Sequence, residues 1–340
     1  MRLLTTWAAL LSCALLPPGC GAQEPPVKQE QAPHIRVGVE LVNVDATVRD
    51  ARGNFVAGLK RENFRILDDG VEPKITNFAA VEEPAQVLVL VETGPAVYLL
   101  HKQHLAAAGA LLEGLAANDR VALGTYNESA RLALNLTDDK LALARALDHL
   151  QYGLGMADLN FYGSLATALD WLAPVPGKKA VVLLTTGLDS SASGNWEGLL
   201  ARLRASDVTV LAVALGGELR SAGEPSRPQG KKEARQSHSG ADNDSLSFQR
   251  ADRALETMAE ETGGRAYFPR DANEFPAIYR QIASLLRNTY SLGFAPPARD
   301  GSVHKIEVQL VDERGQPLAG KNGKPRYNIR ARSGYFSPTP

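Results

Sequence analysis

Cysteine is nearly absent: the chain of 340 residues has two, Cys13 and Cys20, both in its opening stretch. Beyond them no thiolate is left for a zinc cluster, a redox pair or a cysteine nucleophile. Positive charge is not in surplus. Lys plus Arg number 37 against 38 Asp plus Glu, a net charge of −1, which gives no electrostatic grip on a phosphate backbone and excludes nucleic acid as an expected partner. No segment has the roughly 18 consecutive apolar residues of a membrane-spanning helix. The chain also lacks a G-x-G-x-x-G opening its first helix, a Walker loop and a G-x-S-x-G elbow, so nucleotide use and serine hydrolysis have no support in sequence. What is present is ordinary globular material, 44% hydrophobic and 22% charged. A chain this long is expected to hold roughly two domains and needs no disulfide staples.

The first segment reads as an address. Arg2 precedes the apolar run LLTTWAALLSCALL at 3–16, which ends in PPG and small residues, the pattern of a secretory signal over 1–22. The expected location is therefore secreted or periplasmic. Lipidation of Cys20 is the alternative, since GC closes a lipobox, although Pro17 stands where such boxes usually carry Leu. Residues 23–34, opening QEPPVKQEQAP, are polar and Pro-rich and read as a linker.

Alternation with period two over 35–49, followed by DARGN, reads as a half-buried strand entering a turn, and 64–67, the DDG turn and 74–78 repeat the pattern. The segment 35–83 is thus β. At 87–91 the pattern changes to VLVLV, continuously apolar, which a strand tolerates only with both faces covered. Helices over 98–117, 162–172, 196–205, 250–262 and 272–287 alternate with strands at 120–126, 180–185, 208–214 and 265–268, with 130–136 returning antiparallel. Asp138 is read as the N-cap of a further helix, and Gly263 and Gly264 as a C-cap. This describes a mostly parallel sheet with helices on both faces over 84–288. Residues 217–249 break every period and read as a mobile insertion, whose basic Arg227, Lys231, Lys232 and Arg235 belong to a solvated loop. From 290 the chain is β again, at 290–294, 303–311 and 326–332. The two ends, 35–83 and 289–337, are expected to share one β module. Tyr290, Phe294, Tyr335 and Phe336 belong to its core.

The middle resembles a von Willebrand factor type A domain, and 35–337 as a whole resembles the related family abundant in Acidobacteria. The carrying stretches are VELVNVDATVRDARGNFVAGLKRENFRILDDGVEPKITNF at 39–78, VLVLVETGPAV at 87–97, NFYGSLATAL at 160–169, AVVLLTTGLDSS at 180–191, ETGGRAYFP at 261–269, YSLGFAPP at 290–297 and IRARSGYF at 329–336. The resemblance implies a ligand site at the carboxyl ends of the parallel strands. There the family holds Mg²⁺ with D-x-S-x-S, a Thr before a middle helix and an Asp after the fourth strand.

This chain departs at every one of those positions. The first motif is Glu92-Thr93-Gly94-Pro95-Ala96, the Thr position falls near Leu159 with Asp158 and Asn160 beside it, and the later Asp is Thr186. Glu carries its carboxylate about 1.5 Å further out than Asp, a misfit comparable with a metal–oxygen distance of about 2.1 Å. The expectation is a degenerate adhesion-site rim formed by Glu92, Gly94, Ala96, Asp158, Thr186 and Asp189, with no metal and no cofactor, that binds a protein partner. His101 and His104 lie on one helix face without a third ligand nearby and read as solvated. The Asn-x-Ser/Thr triplets at Asn127, Asn135 and Asn243 matter only where a host glycosylates such sites and otherwise read as chance. The reading is an interaction or adhesion-type protein and not an enzyme. The alternatives are a structural envelope component, or an enzyme in which His149 or His304 stands beside a Ser and an Asp in a deep pocket.

Overall fold

The structure, a computed structural model, describes residues 41–79, 84–94, 98, 101–153, 158–191, 194–217, 238–318, 326–337 and 339, all within the unit Val39–Pro340. The signal 1–22 with Cys20, the linker 23–34, Ala96 and most of the 217–249 insertion lie outside the described residues.

Three strands open the chain: β1 (Val42–Asp50), β2 (Phe64–Asp68) and β3 (Ile75–Ala79). An α/β layer follows as β4 (Ala85–Glu92), α1 (His101–Gly114), β5 (Arg120–Tyr126), β6 (Ala130–Thr137), α2 (Lys140–Asp148), α3 (Phe161–Leu172), β7 (Lys178–Thr185), α4 (Trp196–Ala205), β8 (Val208–Ala214), α5 (His238–Glu261), β9 (Arg265–Tyr267) and α6 (Phe275–Arg287). The end is β10 (Tyr290–Phe294), β11 (Val303–Leu310), β12 (Tyr327–Ala331) and β13 (Gly334–Phe336).

The central sheet has the order β6-β5-β4-β7-β8-β9, parallel except for β6 at one edge. The continuous apolar run of β4 is explained by its two faces. Val87, Val89 and Val91 point into one core with Leu111 of α1, Leu143 of α2 and Ile282 of α6, while Leu88 and Leu90 point into another with Leu165 of α3, Leu203 of α4 and Leu255 of α5. Side chains of a strand alternate between faces, so both faces of a central strand must be apolar when both carry helices.

Most element ends shift by a few residues from the sequence reading, and two differences have a clear cause. The N-cap of α2 is Asp139 and not Asp138: Asp139 Oδ1 accepts from Leu141 N and Ala142 N at 3.0 and 3.1 Å, the reach that a side chain one residue earlier lacks. Helix α5 begins at His238, inside the stretch read as a mobile insertion. Its first turns, HSGADNDSLS, hold no apolar stripe in sequence, and among the described side chains Phe248, Ala251, Ala254, Leu255 and Met258 are buried.

Both chain ends build one β module. The sheet β12-β1-β10-β3 packs on the sheet β13-β11-β2, all pairings antiparallel, around Val44, Ala46, Val48, Phe64, Ile66, Tyr290, Phe294, Ile306 and Tyr335. Tyr290 is central: its ring lies 5.1 to 6.0 Å from those of Phe55, Phe64 and Phe78, and its hydroxyl donates to Val56 O at 2.8 Å and accepts from Leu59 N at 3.2 Å.

Arg332 joins this module to the α/β layer. It lies where the chain leaves β12 for β13, and its guanidinium donates to Ser206 O (2.8 Å), Arg204 O (2.7 Å) and Gly334 O (2.8 Å), thereby satisfying carbonyls at the end of α4. Beside it Arg204 grips Glu261 through two hydrogen bonds, 3.0 and 2.6 Å. A cavity of about 780 Å³ lies between the layers, at the amino ends of the parallel strands, lined by Asp45, Asn77, Lys179, Asp207 and Arg332 among others. Lys179 and Asp207, neighbours at the amino ends of β7 and β8, pair on its wall at 2.8 Å.

Candidate functional site

The carboxyl ends of β4, β5 and β7 meet at Glu92, the last residue of β4. Because β4 lies between β5 and β7, their final polar residues, Tyr126 and Thr185, flank it. Glu92 Oε2 accepts from Thr186 N at 2.6 Å, Thr186 Oγ1 at 2.8 Å, Tyr126 OH at 3.1 Å and Thr185 Oγ1 at 3.2 Å. Tyr126 OH also lies 2.6 Å from Thr185 Oγ1, which in turn accepts from Gly187 N at 2.8 Å. Glu92, Thr185 and Thr186 are each exposed by 2% or less.

Burial pushes the Glu92 carboxyl above its ordinary value, opposed by the hydrogen bonds from Thr186, Tyr126 and Thr185. Burial, with the neighbouring Glu92 charge, likewise pushes the Tyr126 phenol up.

This arrangement corrects the rim placement of three residues. Glu92, Gly94 and Thr186 are buried and cannot touch a partner. The extra methylene of Glu lets the carboxylate fold back onto the ends of β5 and β7 in place of reaching outward. Asp189 is half-buried and serves α3: Oδ2 accepts from Tyr162 N at 2.8 Å, and Oδ1 from Ser191 N at 3.0 Å and Ser191 Oγ at 2.7 Å. Asn160 Oδ1 caps the same helix on Gly163 N at 3.1 Å, so two side chains satisfy two of its orphan amides. Asp158 is exposed and takes no part in these bonds.

Octahedral oxygen coordination of Mg²⁺ needs several lone pairs converging on one open point. Here the Thr185 and Thr186 hydroxyls direct their protons at Glu92, the inward carboxylate oxygen is surrounded by protein donors, and Glu92, Asp158 and Asp189 form no convergent group. The described residues do not fit the ion.

The surrounding loops are tied to one another. Ser190 Oγ accepts from Leu159 N at 2.8 Å, Ser190 N donates to Leu159 O at 2.9 Å, Asn160 N donates to Asn127 O at 2.8 Å, and Gly153 N donates to Thr93 O at 2.9 Å. The outer surface of this lattice presents Asp158, Ser190 and Glu128. Sequence reading missed Tyr126, Thr185 and Ser190; for Tyr126 and Thr185 the available signal was a polar residue closing an apolar strand, and the loop residue Ser190 had none.

His304 does stand beside a Ser and an Asp, away from the cavity between the layers. Its Nε2 is 3.2 Å from both Ser302 Oγ and Asp300 Oδ1. Ser302 Oγ donates to that same Asp300 oxygen at 2.7 Å, and Ser302 N does so at 2.9 Å. The carboxylate competes for the serine proton and occupies the amide that a developing oxyanion would need. None of the three lines the cavity between the layers. His149 is an exposed C-cap residue of α2. The side chains of His101 and His104 lie outside the described residues.

No family model matches the chain, and no curated protein matches it. Solved structures similar to it include a von Willebrand factor type A protein from Catenulispora acidiphila, 12% identical with a TM-score of 0.45 over 88% of this chain and 75% of that one. BatB from Bacteroides thetaiotaomicron is 16% identical with a TM-score of 0.39 over 59% and 98%. Proximal thread matrix protein 1 from the mussel byssus is 14% identical with a TM-score of 0.43 over 59% and 48%.

Proposed function

We propose that the chain is an extracytoplasmic interaction protein that binds another protein through the loops at the carboxyl ends of its parallel strands, without a metal ion and without catalysis. The observation that carries this reading is the capture of Glu92 by Tyr126, Thr185 and Thr186. The position that would hold an ion and offer it to a partner's carboxylate is instead an internal hydrogen-bonded network, and the loops above it are stitched together. A surface fixed in advance loses little entropy on binding, which favours recognition by shape and hydrogen bonds. The secretory pattern at 1–22 supplies the location, and lipidation at Cys20 would tether the same surface to a membrane.

The test is retention of a partner from a solubilised envelope fraction by the immobilised mature chain in the presence of chelator. Retention is expected to survive Glu92→Gln, which is internal, and to fall with Asp158→Arg combined with Glu128→Arg, which reverse charge on the outer surface. A partner held at fixed ratio through purification would mark a standing assembly component. Retention that needs Mg²⁺, or that ignores the double variant, contradicts the reading. So does ester hydrolysis that disappears in Ser302→Ala.

A further inference from the structure

The β module contains a second group of chemistry-bearing side chains, far in sequence from the strand-end site. Asp68 closes β2, Asp69 and Gly70 form the hairpin turn with φ of 48° and 84°, and His304 lies on β11, which pairs with β2. One donor atom from each of Asp68, Asp69 and His304 falls within 4.8 Å of the others. His304 Nδ1 is 3.2 Å from Asp68 Oδ1 and 2.9 Å from Asp69 Oδ2.

The decisive atom is Asp68 Oδ1. The Asp68 side chain is 0% exposed, its other oxygen accepts from Tyr335 OH at 2.8 Å, and Oδ1 has only the ion-pair contact with His304 Nδ1 at 3.2 Å and no hydrogen bond. A buried carboxylate oxygen left unmet is costly. A single Nδ1–H shared between two oxygens on different residues serves each less well than a linear bond, whereas one divalent ion bonds all three atoms. Donors about 2.1 Å from a common ion stand roughly 3.0 to 3.4 Å apart at octahedral to tetrahedral angles, close to the 3.2 and 2.9 Å found from His304 Nδ1 to the two carboxylates.

We infer that Asp68 Oδ1, Asp69 Oδ2 and His304 Nδ1 form a binding site for a divalent first-row transition ion, which staples the β2 hairpin to β11. The imidazole selects against Mg²⁺ and Ca²⁺, which prefer oxygen alone, and favours an ion such as Zn²⁺. The outer contacts suit the role. Asp300 and Ser302 hold Nε2 at 3.2 Å, the carboxylate–histidine arrangement that fixes a ligand's tautomer, and the ring stacks on Tyr335 at 5.2 Å. Asp69 is 54% exposed on its side chain, which leaves a route for the ion and room for water as further ligand.

The experiment titrates zinc chloride calorimetrically, near neutral pH, into the mature chain stripped by chelator and dialysed. One equivalent is expected to bind, with a melting temperature raised by a few degrees at saturation. Asp69→Asn keeps an Oδ1 acceptor for Lys305 N, now 3.0 Å away, and tolerates the positive φ, so it folds; its zinc affinity is expected to drop at least tenfold. His304→Gln is expected to lose the site, and Co²⁺ in place of zinc to give a visible absorption band in the parent and none in Asp69→Asn. Absence of binding, or binding unchanged in Asp69→Asn, overturns the inference, the second outcome placing the ion on other side chains.

Discussion

Glu92 is the residue on which the strand-end site turns, and two substitutions separate its roles. Glu92→Ala removes the acceptor of four hydrogen bonds and opens a void, an expected loss of roughly 3 kcal/mol in chemical denaturation. Glu92→Gln keeps an acceptor oxygen and is expected to be near neutral. The two proteins also differ in pH dependence. The raised carboxyl means that, above the unfolded value, the native state binds the proton more tightly, so stability falls as pH rises from the ordinary carboxylate range through the folded value. Glu92→Gln has no such proton and should show a flatter profile over that window; identical profiles would contradict the buried placement. Glu92, Thr186 and Asp189 were legible in sequence as positions, but their partners were not. Tyr126 and Thr185 lie 34 and 93 residues from Glu92, and only the strand order β5-β4-β7 brings them together.

At the scale of elements, the junction after α5 is the most exacting. Gly263 has φ 74°, Gly263 N donates to Glu260 O at 3.2 Å and Gly264 N to Ala259 O at 2.7 Å, the paired bonds of a Schellman ending. A Cβ on Gly264 would lie 1.8 Å from Val210 O, so Gly264→Ala is expected to displace the α5–β9 junction from β8 and to lower the melting temperature by ten degrees or more, roughly the shift of several kcal/mol in a domain this size. A melt within two or three degrees of the parent would show that the close approach is absent. Arg332→Lys should cost about 2–3 kcal/mol despite keeping the charge, because one ammonium cannot serve three carbonyls in a fork. The double glycine announced its helix end from sequence, as the apolar periods announced most strands. The start of α5 and the separate strand β13 were not announced: the first has no apolar stripe, and the second is three residues long.

The whole molecule is an α/β layer held against a β module that neither chain end can build alone. Strand β1 lies between β10 and β12, and β2 pairs β11. Removing 41–79 would leave β10 and β12 without the strand between them and β11 with one neighbour fewer, exposing Tyr290, Phe294 and Ile306. Hydrogen exchange of such a truncation should therefore show lost protection across Tyr290–Phe294, Val303–Leu310 and Tyr327–Ala331, with the central sheet retained. Continued protection of those strands would contradict the shared core. The alternating patterns at both ends made the module legible, since each needed a partner for one face; which strand paired with which was not, because several antiparallel registers bury the same residues.

The central claim is that the carboxylate at the end of β4 belongs to the fold's own hydrogen bonding and not to an ion. Thermal unfolding of the mature chain, first stripped by chelator and dialysed, with and without millimolar Mg²⁺ or Ca²⁺ tests it directly. An ion binding only the folded state at a hundred times its dissociation constant adds about 2.7 kcal/mol, a shift of a few degrees. The account predicts coincident curves with and without these ions. A clear rise that disappears in Glu92→Gln would contradict it.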